Sequence, residues 1–523
     1  MLLPYHRVSF GRTVQRGHRH ISLRTISGLQ RADLVRDSAY IGGRWTVAES
    51  GASHNVVAWP TIGLFVDPAN LQIVATVPDM SSNDAKVAIK DAQKAQAEWK
   101  RTTARQRATI LRKWFDLLHA NRDDLATIMT TECGKPLAEA RGEITYGASF
   151  IQWFAEEAPR AYGDIIPQHA VGRRLLAIKQ PVGVVGAITP WNFPIAMVTR
   201  KVAPALAAGC SIVLKPAPET PLSALALARL AEEAGVPPGV FNVVTASKQN
   251  TPEIGKELTT NPIVRKITFT GSTQVGKILA AQAASTVKRL SLELGGNAAF
   301  IVFDDADLDA AVEGCIASKY RNTGQTCVSA NRIYVQAGIY DEFAERLAKR
   351  IRRMNVGHGL QAGVDVGPLI SKEGWEKVSR HVSDALSKGA IAIAGGKPHA
   401  LGNHFYEPTV LTGLQKNMVL IHEETFGPVA GLYKFETEAE VVELANDTAF
   451  GLAGYFFSRD VGRIFRVAES LEVGMVGVNE GMISTECAPF GGVKESGMGR
   501  EGSKYGLEEY LEIKFICMGG IQE

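Results

Sequence analysis

At 523 residues the chain is too long to fold round one core, so two or three domains are expected. Its 45% hydrophobic and 21% charged residues suit a globular protein, and a net charge of +3 gives no support for nucleic-acid binding or a general membrane-surface role. Six scattered cysteines, with no CxxC pair and no metal-ligand spacing, argue against a disulfide framework and a metal site.

Residues 1–32 carry Arg7, Arg12, Arg16, Arg19, Arg24 and Arg31, with no acid before Asp33 and with serines and threonines interleaved. This reads as a mitochondrial presequence, addressing the protein to the matrix; the bland alternative is a disordered basic tail. A strand and turn at 39–45 open the folded body. The stretch 52–64 is apolar without a period and is left unassigned. From Ser82 to about Trp114 the apolar spacing is helical, and further helices run through Phe154. Beyond 175–180 and 182–188 the register becomes strand–helix alternation, with short apolar strands at 211–214, 241–244, 266–270 and 289–292 between Ala-rich helical stretches. Such strands indicate a parallel sheet covered on both faces. A second α/β series follows from Ala299 to about Asn479, with strands at 299–302 and 332–335, helices from Asp307 and over 339–353, and a capping box at Thr437–Glu440.

Several strand ends carry chemistry. Cys327 closes the run Tyr320-Arg321-Asn322-Thr323-Gly324-Gln325-Thr326, after an amphipathic segment and a flexible Asn-Thr-Gly. That places a thiol where backbone N–H groups can face it and favour the thiolate; most cysteines are small buried hydrophobes instead. Asn192, between the prolines of Thr189-Pro190-Trp191-Asn192-Phe193-Pro194, is held rigidly and can aim an amide at an oxyanion, or simply satisfy a turn. Lys215 ends a strand, where a cation can meet a ribose or phosphate. Gly271-Ser272 open a helix after a strand and form a phosphate cradle. The stretch also mimics GxxxxGK[ST], but Ile278 stands where a Mg²⁺-holding hydroxyl is needed, so a nucleoside triphosphatase is a weak runner-up. Gly497, Gly499 and Gly502 spell GxGxxG without a preceding hydrophobic strand, and are set aside. Glu293, ending an apolar strand before two glycines, suits a general base of raised pKa. Glu424 and Phe426 offer an acid and an aromatic ring two residues apart. Together these pieces read as covalent thiol catalysis joined to hydride transfer.

With TPWNFP, LKPAPETP, FTGSTQVG, LELGGN, GQTC, EETFGP and PFGGVKESGMGREG in order, the sequence resembles the aldehyde dehydrogenase superfamily from about Tyr40 to Cys517. It is most similar to the succinate-semialdehyde branch, notably in ITPWNFPIAMVTRK, YRNTGQTC, NEGMIS and GREGSKYGLEEYLEIK. The resemblance implies an α/β fold with a Rossmann-like cofactor domain (33–158 and 182–295), an α/β catalytic domain (296–504) and a small β oligomerisation flap (159–181 and 505–523). It implies a homodimer or homotetramer, with no nucleic acid or membrane partner, and NAD or NADP as cofactor. Cys327 would be the nucleophile, Asn192 the oxyanion donor and Glu293 the base. Lys215 would hold the adenosine ribose, Ser272 a phosphate, Glu424 the nicotinamide ribose, and Phe426 would pack beside the nicotinamide. Thr189, Trp191, Pro218, Gly271 and Leu294 fall among the implied cofactor contacts. Arg200, Arg321 and Ser484 match the branch's residues for the substrate carboxylate.

Three features depart from the pattern. Pro218 stands where the family commonly has Glu, which removes a repulsion against a ribose 2′-phosphate, so NADP is expected to be accepted; Glu219, next in sequence, could take over that role. Ser329 occupies the place of a partner cysteine. The stretch 52–64 looks like an insertion. The function expected is oxidation of succinate semialdehyde to succinate through a cysteine thioester, as in 4-aminobutyrate breakdown. The alternatives are another acid semialdehyde, such as glutarate semialdehyde, or a catalytically idle structural relative.

Overall fold

The computed structural model describes residues 26, 28–58, 72–402 and 404–521. Most of the Arg-rich leader, and residues 59–64 of the unassigned stretch, therefore lie outside the described residues. The end of the leader does not. Gln30 and Arg31 donate backbone N–H groups to the Asp124 carboxylate, at 3.0 and 2.8 Å, Arg31 pairs with Asp33 and Glu233, and Ile26 is buried in the first core. The folded body thus starts before residue 33, which corrects the boundary drawn from charge alone: a docked arginine and a leader arginine look alike in sequence.

Three sheets organise the chain, and the α/β class expected from the alternation holds. The first has the strand order Arg44–Thr46, Ala39–Ile41, Phe241–Val243, Ser211–Lys215, Val184–Ile188, Val264–Thr270, Arg289–Glu293, Gly497–Met498. Its five central strands are parallel. Most of their side chains are buried, because helices cover both faces, which is why they read as near-continuous apolar runs. The outermost strand corrects the sequence reading. Gly497–Met498, assigned above to the catalytic part, runs antiparallel to Arg289–Glu293 in the first sheet, with Gly497 opposite Glu293. Gly497 has φ +129°, and a Cβ there would lie 1.8 Å from the Leu292 carbonyl oxygen, so the glycine of the discarded GxGxxG serves strand pairing.

The second sheet has the order Ile391–Ala394, Thr409–Thr412, Val429–Phe435, Ala330–Gln336, Ala298–Val302, Ala453–Phe457, Met475–Val478, parallel except for its first pair. The third is antiparallel: Leu511–Met518, Arg174–Pro181, Asp164–Ile166. It leaves Ile165, Ile513 and Phe515 exposed. Residues 53–58, part of the unassigned stretch, form the strand Ser53–Ala58, paired with Gln72–Pro78. Helix starts follow their local chemistry: Ser81 with Asp84, Thr103 with Gln106 and the expected Thr437 with Glu440 all form capping boxes.

Candidate active site

In the first sheet the chain proceeds outward from Val184–Ile188 in one direction and returns to its other side with Val264–Thr270. The carboxyl ends of these neighbours flank a topological switch point, where open α/β sheets form their crevice. A cleft of about 510 Å³ opens there. It gathers Trp191, Asn192, Gly271, Ser272 and Leu294 from the first sheet with Cys327, Glu424 and Phe426 from the second. Thr189, Lys215, Pro218, Glu293, Arg200, Arg321 and Ser484 are not among its lining residues.

Cys327 sits on a tightly fastened loop. The helix Leu308–Lys319 ends, and Asn322, Thr323 and Gly324 follow with φ of +53°, +59° and +73°. Side chains hold this left-handed run: Asn322 donates to the carbonyls of Asn192 and Gln325 at 3.0 and 3.1 Å, and Thr323 Oγ1 donates to Gly367 O at 3.0 Å. The backbone N–H of Asn322 donates to the Glu139 carboxylate. The Asn-Thr-Gly read as flexible is thus a fixed turn, a correction that sequence could not supply because, Gln325 aside, these partners are remote. Asn192 Nδ2 donates to Gln325 O at 3.0 Å, which fixes the amide against this loop and leaves its second hydrogen for another acceptor. Lys135 donates to Asn192 O at 2.9 Å and pairs with the buried Glu143.

Glu293 ends its strand fully enclosed, and its two carboxylate oxygens have no hydrogen-bond partner among the described residues. Burial, aided by the nearby Glu501 charge, raises its pKa well above the usual carboxylate range. The thiol behaves differently from the sequence expectation. Burial pushes the Cys327 pKa up to about 12; Arg200 and Arg321 act to lower it, Glu424 and Glu293 to raise it. Without a ligand the resting group is a thiol, and desolvation outweighs whatever backbone donors offer. Ser329 Oγ donates to Lys319 O at 3.5 Å.

Arg200, Arg321 and Ser484 converge on Tyr146, a residue of the helix Leu137–Glu157 that the sequence reading missed. Arg200 Nη1 lies 3.4 Å from Tyr146 Oη, Ser484 hydrogen-bonds the same hydroxyl, and Arg321 acts on it electrostatically. Arg321 also stands over the Phe193 ring at 5.3 Å. Arg200 is less free than its sequence position implied. It ion-pairs with Glu501 at 2.8 Å and stacks on Phe490 at 3.8 Å, while Lys201 pairs with the same carboxylate. Its Nη2 has no hydrogen-bond partner among the described residues.

The far side of the cleft fits a dinucleotide. A Cβ at Gly271 would lie 2.4 Å from the Phe269 ring, so only glycine keeps that cradle open. Ser272 caps the helix Thr273–Ala283, accepting from Val275 N at 3.4 Å, and the helix N-terminus favours an anion there. The lysine of the P-loop look-alike, Lys277, is spent on Glu495 at 2.8 Å. Glu424 accepts from Gly296 N at 3.1 Å, and Phe426, at φ +56°, meets Trp191 edge to face at 5.7 Å. Lys215 is buried under the cleft rather than in its wall; burial lowers its pKa to about 8, with Glu219 working the other way. Glu219, not Pro218, lines the cleft. Thr189 contributes a backbone N–H to Lys215 O.

The profile of the Aldehyde dehydrogenase family matches residues 63–516. The chain belongs to that family. It is 58% identical over 493 residues to the glutarate-semialdehyde dehydrogenase of Pseudomonas aeruginosa, covering 94% of this chain and 100% of the relative. It is 56% identical to the NADP(+)-type succinate-semialdehyde dehydrogenase of Escherichia coli, over 94% and 99%. The crystal structure of a succinate-semialdehyde dehydrogenase from Burkholderia pseudomallei superposes with a TM-score of 0.91 at 57% identity, covering 94% of this chain and 100% of that one.

In this aldehyde dehydrogenase the functional residues absent from the sequence reading come largely from one helix. Glu139, Glu143 and Tyr146 follow each other at steps of four and three on Leu137–Glu157, so polar groups share one face of a mostly apolar helix. That stripe was the available signal. Thr425 and Glu501 lie inside the quoted EETFGP and PFGGVKESGMGREG, but no role was drawn from them, and nothing local marked Lys377.

Proposed function

We propose that this aldehyde dehydrogenase oxidises a short ω-carboxylated semialdehyde, succinate semialdehyde first and glutarate semialdehyde second, with NAD or NADP. The observation that carries this is the cluster around Tyr146: Arg200 and Ser484 reach its hydroxyl, Arg321 acts on it through its charge, and both arginines act on Cys327. A carboxylate entering there replaces the lost water with charge-assisted bonds, which an uncharged aldehyde cannot use. Burial of such a charge without a cation would cost several kcal/mol, on the order of 3–5.

The residues then divide the work. Cys327, which lines the open cleft, gives its proton to solvent water as substrate enters, and the thiolate attacks the aldehyde carbon; the free hydrogen of the Asn192 amide and the Cys327 backbone N–H hold the oxyanion. NAD or NADP, when bound, supplies the hydride acceptor. Glu424 and Phe426 on one side, and Gly271 and Ser272 on the other, position and shield it. Glu293, whose burial makes its ionised form a strong base, takes a proton from the water that hydrolyses the Cys327 thioester once it has released its own proton to solvent. Loss of acid at Pro218 supports use of NADP, whereas Glu219 in the cleft wall opposes it; Glu219→Gln should raise the NADP/NAD ratio of kcat/KM about tenfold.

Initial rates with succinate semialdehyde, glutarate semialdehyde and butanal, each with NAD and NADP, test the reading. Arg321→Met should raise KM for the two acid semialdehydes at least about tenfold and spare butanal. Arg200→Met should damage all three, because it also strands Glu501. Equal kcat/KM for butanal and the acid semialdehydes in the unaltered enzyme would overturn the carboxylate assignment. The Arg-rich N-terminus supports import into the mitochondrial matrix, with cleavage before the docked residues Ile26, Gln30 and Arg31. A mitochondrial form still beginning at Met1 would oppose it.

A further inference from the structure

The loop that carries Glu424 and Phe426 is anchored by a residue that none of the chemistry above uses. His381, on the helix Lys372–Ser387, is completely buried. Its Nδ1 lies 3.1 Å from Thr425 Oγ1 and its Nε2 lies 3.1 Å from Glu423 Oε2. The same carboxylate takes Arg380 Nη2 at 2.8 Å. Asn331 completes the frame from the second sheet, accepting Thr425 N–H at 3.1 Å and donating to Glu423 O at 3.1 Å. The two residues flanking Glu424 are thus joined to each other through one imidazole.

The protonation pattern follows from the partners. Burial lowers the imidazole pKa to about 4 against the pull of Glu423, so the ring is neutral with one N–H. Arg380 holds Glu423 ionised, and its Nη2, 3.4 Å from the ring Nε2, makes its shorter contact with that carboxylate; a carboxylate only accepts, so the N–H is assigned to Nε2. Nδ1 is left as acceptor for the Thr425 hydroxyl. A neutral ring in this one tautomer satisfies both neighbours at once, and an apolar side chain would satisfy neither.

We propose that His381 is a positioning residue for the cofactor loop: by tying Thr425 to Glu423 it sets the spacing at which Glu424 and Phe426 meet the nicotinamide half of the cofactor. The geometry gives a reason for such a brace. Phe426 holds φ +56°, an unfavourable backbone for a residue with a Cβ, and Gly427 packs so closely on Val378 of the same helix that a Cβ would come within 2.3 Å. A strained turn persists only where its surroundings over-determine it. His381 supplies that constraint from one turn beyond Lys377, which itself lines the cleft. The inference rests on the reading that the cleft takes NAD or NADP.

The test uses the full chain and three measurements: Kd for NAD and NADP by quenching of protein fluorescence, steady-state kinetics, and Tm. His381→Leu and Thr425→Val should each raise cofactor Kd and KM about tenfold, the cost of one lost buried hydrogen bond, with kcat at saturating cofactor within about threefold. The double variant should be no worse than His381→Leu alone, because both cut one link. His381→Gln, whose amide offers a donor and an acceptor side by side, should recover most of the affinity. Cofactor binding unchanged in His381→Leu would overturn the proposal. So would a loss of Tm and kcat together with affinity, additive with Thr425→Val and not rescued by Gln, which would make His381 packing alone. An unaltered enzyme that binds neither NAD nor NADP would instead sink the underlying reading, and is told apart by that first titration.

Discussion

Glu424 is a residue whose charge state turns over near neutrality. Burial raises its pKa to about 7, partly offset by the Gly296 N–H and by Lys377 and Lys319. A carboxyl whose folded pKa lies above its unfolded value stabilises the fold below the unfolded pKa, and that contribution is lost as pH rises through 7. The enzyme without cofactor should therefore lose on the order of 3 kcal/mol between pH 5 and 8 from this group. Glu424→Gln should flatten that part of the curve, as read from urea midpoints at each pH. At Cys327 and Glu293 the expectation concerns steps rather than stability. Cys327→Ala should abolish turnover, while Glu293→Gln should release one equivalent of reduced cofactor per site and then stall, since the thioester forms but its hydrolysis lacks a base. Stopped-flow absorbance of the reduced nicotinamide shows both, and steady turnover by the Cys327 variant would refute the assignment.

Among the elements, the short turn Arg321–Gly324 decides where the nucleophile stands. Gly324 has φ +73°, and a Cβ there would lie 2.1 Å from the Gly427 carbonyl oxygen, on the strand-leading turn of the cofactor loop. Gly324→Ala should cost at least about 2 kcal/mol of stability and most of the activity, because relief of the clash moves Cys327 and the Phe426 turn apart together. Thermal unfolding and kcat measured on one preparation check it. How much of this was legible follows from range. The strands ending in Lys215, Thr270 and Glu293 were visible because their apolar runs are local, and their site residues sit at the ends. The bonds that tie Asn192 to Gln325 and Asn322 to Asn192 join residues more than a hundred positions apart, Thr323 reaches Gly367 more than forty positions on, and no spacing rule reports them. The same holds for Arg200. Its place eight residues after Asn192 was readable, but its engagement with Glu501, three hundred residues on, was not. The thiol expectation failed for an energetic reason: its sequence neighbours are visible and its desolvation is not.

At the scale of the molecule, the third sheet presents apolar side chains with nothing over them. Ile513 and Phe515 on its Leu511–Met518 strand are 75% and 60% exposed, and Ile165 on the opposite edge is 85% exposed. Such a face on an exposed sheet edge suits a second copy of the chain. Ile513→Glu with Phe515→Glu should shift the enzyme to a smaller species in analytical ultracentrifugation, and an unchanged mass would remove this face from the assembly. The pairing of Gly497–Met498 with the strand that ends in Glu293 has a consequence for the order of events in synthesis. The chain leaves the first sheet after Glu293, builds the whole second sheet, and only then returns to place an edge strand beside the base and Glu501 beside Arg200 and Lys201. The catalytic carboxyl therefore acquires its surroundings last. A polypeptide still emerging from the ribosome can hold a nearly complete nucleotide cleft and the Cys327 loop, and yet lack the surroundings of Glu293 that the proposed hydrolysis step needs.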